Sequence, residues 1–237
     1  MLRLVTLGAL ILAVSAGAPN CCGPDQVMAG VGTTKSFQYD GQSTAYASYA
    51  NGAFDFRNGD YGYYLTVHPG RSWQSSWRII QNYTEQVQWV IYYDGKTEKC
   101  MKQAITQPPP NNCLPGNAEF QAQMTFGGKN GLVADCYTYG IHYPHVPEDT
   151  LAYATVVHKN CYPLTIALIG QKFDPYWNST VKFMSTSGFV NMAVGIPNPD
   201  AWFTPPDSCR RGNRVSPRFS RALPDFDLKA YHLPTFF

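Results

Sequence analysis

Apolar and polar residues alternate with period two along most of the chain, and turn signals interrupt the alternation at hairpin spacing. Tyr61, Tyr63, Leu65 and Val67 share one face of a predicted strand, and Val87, Trp89, Ile91 and Tyr93 share one face of another. Successive side chains of an extended chain point to opposite sides, so this pattern marks strands with one covered face. Asn51-Gly52, within residues 43–57, predicts a hairpin turn, because both residues tolerate the positive φ that a tight turn needs. Asp94-Gly95 predicts a second hairpin, returning over residues 97–105. Phe120, Ala122, Met124 and Phe126 are expected to face one way, with Gln121, Gln123 and Thr125 on the other side. Gly127-Gly128-Lys129-Asn130-Gly131 then turns the chain into residues 132–139.

Residues 151–157 and 164–169 predict a hairpin about Lys159-Asn160. Both strands are apolar on both sides, so they are central, or one side lines an internal cavity. Residues 181–184 and 189–196 close the series. Trp73, Trp77 and Ile80 fit a helical stripe as well as a strand. About ten short strands at hairpin spacing predict an all-β fold, an antiparallel sandwich or barrel.

The two ends read differently. Residues 1–18 carry one basic residue, Arg3, an apolar run over residues 4–14 and a small-residue exit at Val14-Ser15-Ala16 or Ala16-Gly17-Ala18. That is the pattern of a secretory signal peptide, and the run is too short to span a bilayer. Residues 19–209 form the predicted β domain and residues 210–237 a basic, flexible tail. Between them, Trp202-Phe203-Thr204-Pro205-Pro206-Asp207-Ser208-Cys209 is expected to leave the sheet and stay extended, because two prolines remove two backbone donors.

Charge changes the picture only by its distribution. Charged residues are 14% of the chain, against roughly 25% in soluble domains, while tyrosine occurs 16 times. The tail carries Arg210, Arg211, Arg214, Arg218, Arg221 and Lys229 against Asp225 and Asp227, and the body is slightly acidic. A nucleic-acid-binding domain needs its basic face on the fold, so that class is excluded.

Seven cysteines, Cys21, Cys22, Cys100, Cys113, Cys136, Cys161 and Cys209, behind a signal peptide imply disulfides, and the odd count leaves one over. Their spacing fits no zinc pattern. No G-x-S-x-G elbow is present, and no other motif activates a nucleophile, so the chain is read as not an enzyme. His142-Tyr143-Pro144-His145 resembles a ligand pair, but residues three apart on an extended chain diverge. Asp55-Phe56-Arg57-Asn58-Gly59-Asp60 gathers oxygen side chains round a turn without the spacing of a calcium loop. Asn82-Tyr83-Thr84 and Asn178-Ser179-Thr180 are N-glycosylation sequons, so Asn82 and Asn178 are expected to face solvent.

Four stretches occur in order: Cys21-Cys22-Gly23-Pro24-Asp25-Gln26; KTEKCMKQAITQP around Cys100; KNCYPL around Cys161; and GIPNPDAWFTPPDSC ending at Cys209. Together they resemble the ependymin-related proteins, and the resemblance runs from about Cys21 to Cys209. It implies a secreted or lysosomal, glycosylated, disulfide-bonded protein with two stacked antiparallel sheets in a half-open barrel or sandwich enclosing a deep hydrophobic pocket, similar to bacterial lipoprotein carriers. It implies that Cys21 or Cys22, with Cys22 as the working assignment, bonds Cys161, and that Cys100 bonds Cys209. Cys113 and Cys136 then pair by elimination, and Cys21 is left for a disulfide-linked homodimer. Mammalian members place a further cysteine beyond the PPxxC segment, and this tail has none.

The expected function is a carrier whose pocket takes a lipid, fatty acid or other apolar molecule. Its expected wall is Val87, Trp89, Ile91, Phe120, Met124, Leu151, Tyr153, Leu164, Ile166 and Phe183. The alternative is a calcium-dependent extracellular-matrix or cell-adhesion glycoprotein, with a matrix component or a non-covalent homodimer as partner. Calcium is the one cofactor the resemblance admits, and the lysosomal lumen is the alternative to secretion.

Overall fold

The computed structural model describes residues 21–210, except 69–74, 95, 106–107, 144, 147 and 175–177. The signal-peptide and tail readings, and that of Trp73, lie outside the described residues.

Among the described residues, eleven strands form one antiparallel ladder. In chain order they are β1 (Gln26–Tyr39), β2 (Gln42–Asp55), β3 (Asp60–His68), β4 (Ser75–Asn82), β5 (Val87–Asp94), β6 (Thr97–Ala104), β7 (Glu119–Phe126), β8 (Leu132–Ile141), β9 (Thr150–Val157), β10 (Pro163–Asp174) and β11 (Ser179–Val194). Two short helices follow, α1 (Pro199–Phe203) and α2 (Asp207–Arg210). The strand order is β6-β5-β4-β3-β2-β1-β11-β10-β9-β8-β7, so the chain meanders outward in two halves from a central β1–β11 pair. The all-β antiparallel fold is as the alternation predicts, with the hydrogen bonding continuous from edge to edge instead of divided between two sheets.

A twisted sheet this wide curls on itself. The strand register sorts side chains into an inner and an outer face. Val31, Ala50, Leu65, Trp77, Val90 and Met101 lie on the inner face in one half, and Tyr137, Ala152, Ala154, Ile166 and Phe189 lie on it in the other. All of these belong to one buried cluster. Burying each such ring or branched chain contributes roughly 1.5–3 kcal/mol. The β6–β7 connection helps to close the concavity. The Tyr61 hydroxyl donates to the Pro110 carbonyl at 3.4 Å, and Asn117 donates to the Gly140 carbonyl at 3.0 Å, joining β3 to β8.

Several turns differ from expectation. Asn51-Gly52 is not a turn: it lies inside β2, opposite Tyr64 and Tyr63. The β1–β2 hairpin turns at Asp40-Gly41, where φ is 45° and 75°. Gly52 answers a packing need instead, because a Cβ there would meet the Cβ of Tyr63 and the carbonyl of Gly62. The gap expected between residues 184 and 189 is also absent. Ser185 and Ser187 are buried inner-face residues of the single strand β11, and the Ser187 hydroxyl shares a 2.9 Å hydrogen bond with Thr33. Trp77 and Ile80 sit in strand β4, on opposite faces.

The segment around Pro205-Pro206 is not extended throughout. It is flanked by α1 and α2 and folds over the outer face of β3–β6. Arg78 donates to the carbonyls of Ala201 at 2.8 Å, Thr204 at 3.4 Å and Trp202 at 3.5 Å, supplying partners that the end of a helix otherwise lacks. Trp202 packs edge-on against Tyr64, and a Cβ at Gly62 would run into the Trp202 carbonyl. The Cys100–Cys209 disulfide fastens the segment, as the resemblance implied.

The tie from the vicinal pair to Cys161 is also present, but through Cys21 instead of Cys22, and the pairing of Cys113 with Cys136 is corrected. Cys21 bonds Cys161, and Cys22 bonds Cys113. Neighbouring residues of an extended chain point opposite ways, so the vicinal pair reaches two partners. Cys136 is the free cysteine: it lies on the outer face of β8, level with Thr155, while Cys113 is held beside Cys22 by an isolated bridge. A dimer bridged through Cys21 is therefore ruled out, because that sulfur is used and buried within the chain.

Candidate ligand-binding face

The end of the sheet at which β1 begins is tied shut. The Cys21–Cys161 and Cys22–Cys113 disulfides and the hydrogen bonds Gly23 N–H to Asn112 O and Leu114 N–H to Cys21 O cluster there. At the opposite end, marked by the Asp40-Gly41 turn, the inner face changes character. Tyr46 of β2, Tyr92 of β5, Ile141 of β8 and Leu168 of β10 pack on the core cluster but stay partly exposed. They come from both halves of the sheet and all lie on its inner face. An apolar concave surface that remains reachable is the ordinary form of a small-molecule site.

The hydroxyls around this face are neutral. Burial pushes Tyr139 up to about 12 and raises Tyr143, so both stay protonated near neutrality and bring no charge to this face. Tyr143, from the β8–β9 connection, stands edge-on to Phe183 of β11 with ring centroids 6.3 Å apart. Phe37 of β1 is paired with Phe183 and lies 6.0 Å from Tyr46.

The ten expected wall residues divide between the two faces. Ile166 and Phe183 are buried on the inner face. Phe120 is also on the inner side, edge-on to Tyr137, but at the outer edge of the sheet and 56% exposed. A bulge between Phe120 and Ala122 separates it from Met124 and Phe126, which fall on the outer face. Leu151 and Tyr153 are likewise outside and exposed. Val87, Trp89 and Ile91 share the outer register of β5. Ile91 packs with Ile80 and Cys100 under Cys209, and Lys102 lies over the Trp89 ring. Leu164 falls in the irregularity between Pro163 and Thr165 and joins neither row. The wall that the fold assembles therefore differs from the expected one, and Phe37, Tyr46, Tyr92, Ile141 and Leu168 were missed. Their period-two spacing with Val31, Ala50, Val90, Tyr139 and Ile166 was the available signal.

The other candidates take structural places. The Asp55 carboxylate is nearly buried and accepts from Gln26 at 2.7 Å and from the Asn58 backbone and side chain at 3.0 and 2.8 Å. Both its oxygens are thus engaged in holding the β2–β3 turn. Burial and the neighbouring Asp55 charge raise the Asp60 carboxyl above its usual range. His142 pairs with Asp149 at 3.0 Å in an exposed contact, and His145 lies tilted beside Phe173 with ring centroids 5.7 Å apart. No group of three or more His, Cys, Asp or Glu side chains suited to a metal occurs among the described residues. Asn178 is exposed at the β10–β11 turn, and Asn82 is half-buried at the β4–β5 turn, where it accepts from the Glu85 N–H at 2.6 Å. No helix among the described residues is long and apolar enough to cross a membrane.

Comparison with known proteins places these features in a family. The family model described as Ependymin matches residues 72–209. The development-specific protein LVN1.2 of Lytechinus variegatus is 31% identical over 167 residues, spanning 66% of this chain and 83% of that protein. Among solved structures, a LolA superfamily protein from Nitrosomonas europaea is similar at a TM-score of 0.29 and 10% identity, covering 75% of this chain and 90% of that one. A DUF1329 family protein from Desulfovibrio piger is similar at 0.27 and 9%, covering 76% and 90%. Likenesses this distant carry no argument about what the inner face holds.

Proposed function

The chain belongs to the ependymin family, and from that premise we propose that it is a secreted, glycosylated carrier that holds an apolar molecule, a lipid or fatty acid, against the concave face of its sheet. The observation that carries the reading is the set Tyr46, Tyr92, Ile141 and Leu168. These apolar side chains converge from four strands onto one buried core and are left partly uncovered. Covering them with a ligand tail removes apolar area from water at roughly 25 cal/mol per Å².

The two ends of the concavity suit this task. One end is braced by two disulfides, so the wall keeps its curvature whether or not a ligand is present. Such preorganisation lowers the cost of binding. The outer face of β3–β6 is covered by the chain's own C-terminal segment and takes no part. Three disulfides fit an oxidising, extracellular setting.

The test is mass spectrometry of an organic extract from the purified secreted protein, set against a mock purification. A lipid present in stoichiometric amount supports the carrier. An empty extract together with failure to take up a fluorescent fatty acid overturns it.

A second reading, a calcium-dependent matrix or adhesion glycoprotein, draws on the other side of the sheet. Met124, Phe126, Leu132, Leu151, Ile169 and Met184 are exposed there. Calcium in this reading would need donors other than the Asp55 carboxylate. Collagen and heparin binding, measured with and without calcium, separates this reading from the first.

A further inference from the structure

Tyr139 of β8 is buried on the inner face, and its hydroxyl has no hydrogen-bond partner among the described residues. A buried tyrosine ordinarily finds a partner for its O–H, because the phenol keeps a donor that burial has cut off from water. Tyr143 is near enough to be felt electrostatically at Tyr139, yet the two hydroxyls are not bonded to each other. The row that crosses the sheet at this level runs Tyr139, Ala152, Leu168, Ser185, Lys35 and Tyr46, through β8, β9, β10, β11, β1 and β2. Beside Tyr139 in this row is the methyl of Ala152, and next comes Leu168 of the reachable wall. Ile141, also of that wall, is two residues on along the same face of β8. Two strand spacings, roughly 10 Å, separate the backbones of Tyr139 and Leu168, a gap that one phenol and one ligand chain fill.

The inner face is not apolar throughout. Ser185 is the partner of Leu168, and one row deeper Ser187, Thr33 and Ser48 stand side by side on β11, β1 and β2. Ser187 and Thr33 are bonded to each other at 2.9 Å. Deeper again, Trp77, Leu65, Ala50, Val31 and Phe189 make a continuous apolar row. A ligand seated on Leu168 and Ile141 with its tail towards that row passes the level of Tyr139. A hydrocarbon leaves the Tyr139 hydroxyl as it stands, whereas an oxygen at this level accepts from it. The phenol keeps its proton up to about 12, so what it offers is a neutral donor. A carboxylate at the same depth would carry its charge out of water, and no cation stands between Tyr139 and Ser185 in the row to receive it. Lys35, four strands away, lies over the Phe37 ring and is otherwise engaged.

We infer that Tyr139 is the polar anchor of the inner face, its hydroxyl donating to a neutral oxygen on an otherwise apolar ligand seated against Leu168 and Ile141. This rests on the carrier reading and specifies its ligand class. The shared chemistry is an uncharged oxygen acceptor on a long apolar frame, whether an alcohol or the carbonyl of an ester.

Displacement of the neutral fluorescent reporter N-phenylnaphthylamine from the full secreted protein tests it, with dodecane, dodecanol, methyl undecanoate and dodecanoate as probes of similar length. Each probe is titrated against the native protein and against Tyr139→Phe, which removes the hydroxyl alone, so the cycle isolates the contact between that hydroxyl and the probe's oxygen. The loss of affinity in Tyr139→Phe should be at least about tenfold larger for dodecanol and the ester than for dodecane. The carbonyl stretch of carbon-13-labelled methyl undecanoate should lie lower on the native protein than on Tyr139→Phe, the signature of an accepted hydrogen bond. Ser187→Ala, whose hydroxyl is already bonded to Thr33, should not discriminate among the probes. A selective loss for dodecanol alone assigns the site to alcohols, and one for the ester alone assigns it to carbonyls; either supports the anchor. Equal losses for all the probes overturn it, and so does an ester that loses affinity while its carbonyl stretch stays put. Discrimination that disappears in Ser187→Ala but persists in Tyr139→Phe overturns it too. A larger loss for dodecanoate than for dodecanol and the ester overturns the neutral class. Failure of every probe, dodecane included, to displace the reporter from the native protein counts against the carrier itself.

Discussion

Replacing Cys100 and Cys209 together by alanine releases the C-terminal clamp without leaving a new thiol to reshuffle. The disulfide closes a loop with a sequence separation of 109 residues. In the chain-entropy model such a closure stabilises the fold by about 5 kcal/mol, and relaxation of the native state lowers the observed figure towards about 3 kcal/mol. Two effects act in the folded protein as well. The small cluster of Ile80, Ile91 and Cys100 loses its lid, while the Arg78 hydrogen bonds to α1, the packing of Trp202 on Tyr64 and the 2.6 Å hydrogen bond from Ser208 of α2 to Glu98 remain. Urea denaturation should show a loss of about 3–5 kcal/mol, a large share of the 5–15 kcal/mol typical of a domain. Limited proteolysis should cut first within residues 199–210. Affinity for an apolar probe should stay unchanged, because the clamp lies on the opposite side of the sheet from Tyr46 and Leu168. A stability loss below about 1 kcal/mol with that segment still protected would refute the clamp. A large loss of ligand affinity in a folded variant would refute the separation of the two faces.

Three further outcomes follow from particular residues. Gly52→Val should cost about 1–3 kcal/mol by overpacking against Tyr63 and the Gly62 carbonyl, whereas Gly32→Ala, which meets open space, should fold normally; denaturant midpoints compare them. A maleimide applied to the native, non-reduced protein should label one thiol per chain, at Cys136, and labelling at Cys21 would contradict the observed pairing. Stability should fall as pH rises above about 10. Tyr139 keeps its proton up to about 12 in the fold but loses it near 10 when unfolded, so the unfolded state binds fewer protons over that window. Tyr61 and Tyr63 are raised in the same direction by burial. Tyr139→Phe should flatten part of this slope without destabilising the protein near neutrality, since the buried Tyr139 hydroxyl has no hydrogen-bond partner among the described residues. Denaturation at pH 8, 10 and 11 reads both effects.

The alternation of Tyr61 to Val67 and of Val87 to Tyr93 was enough to reveal strands, but alternation alone does not say which of its two faces will be covered. Trp89 and Ile91 therefore looked like pocket wall, although the cover they meet is a segment more than 100 residues later in the chain. Asn51-Gly52 has the chemistry of a turn, and only the proximity of Tyr63 shows why a glycine is needed inside a strand. The Phe120–Ala122 bulge flips a side chain without any mark in the alternation. Ser185 and Ser187 read as an interruption because the partner that satisfies Ser187, Thr33, is 154 residues away in sequence. The Cys100–Cys209 tie, by contrast, was legible in the ordered cysteine stretches shared with the family, whereas the vicinal pair left its two partners open.

Leu168 and Ile169 are neighbours on β10 that point to opposite faces, and comparing them tests the carrier account most directly. Binding of a spin-labelled stearate would be measured for the native protein, for Leu168→Glu and for Ile169→Glu, with near-ultraviolet circular dichroism confirming that each is folded. Leu168→Glu puts a carboxylate into the inner wall, and the account predicts at least a tenfold loss of affinity, while Ile169→Glu, 48% exposed on the outer face, leaves binding unchanged. Loss of binding in Ile169→Glu with full binding in Leu168→Glu would place the ligand on the wrong side of the sheet and contradict the account.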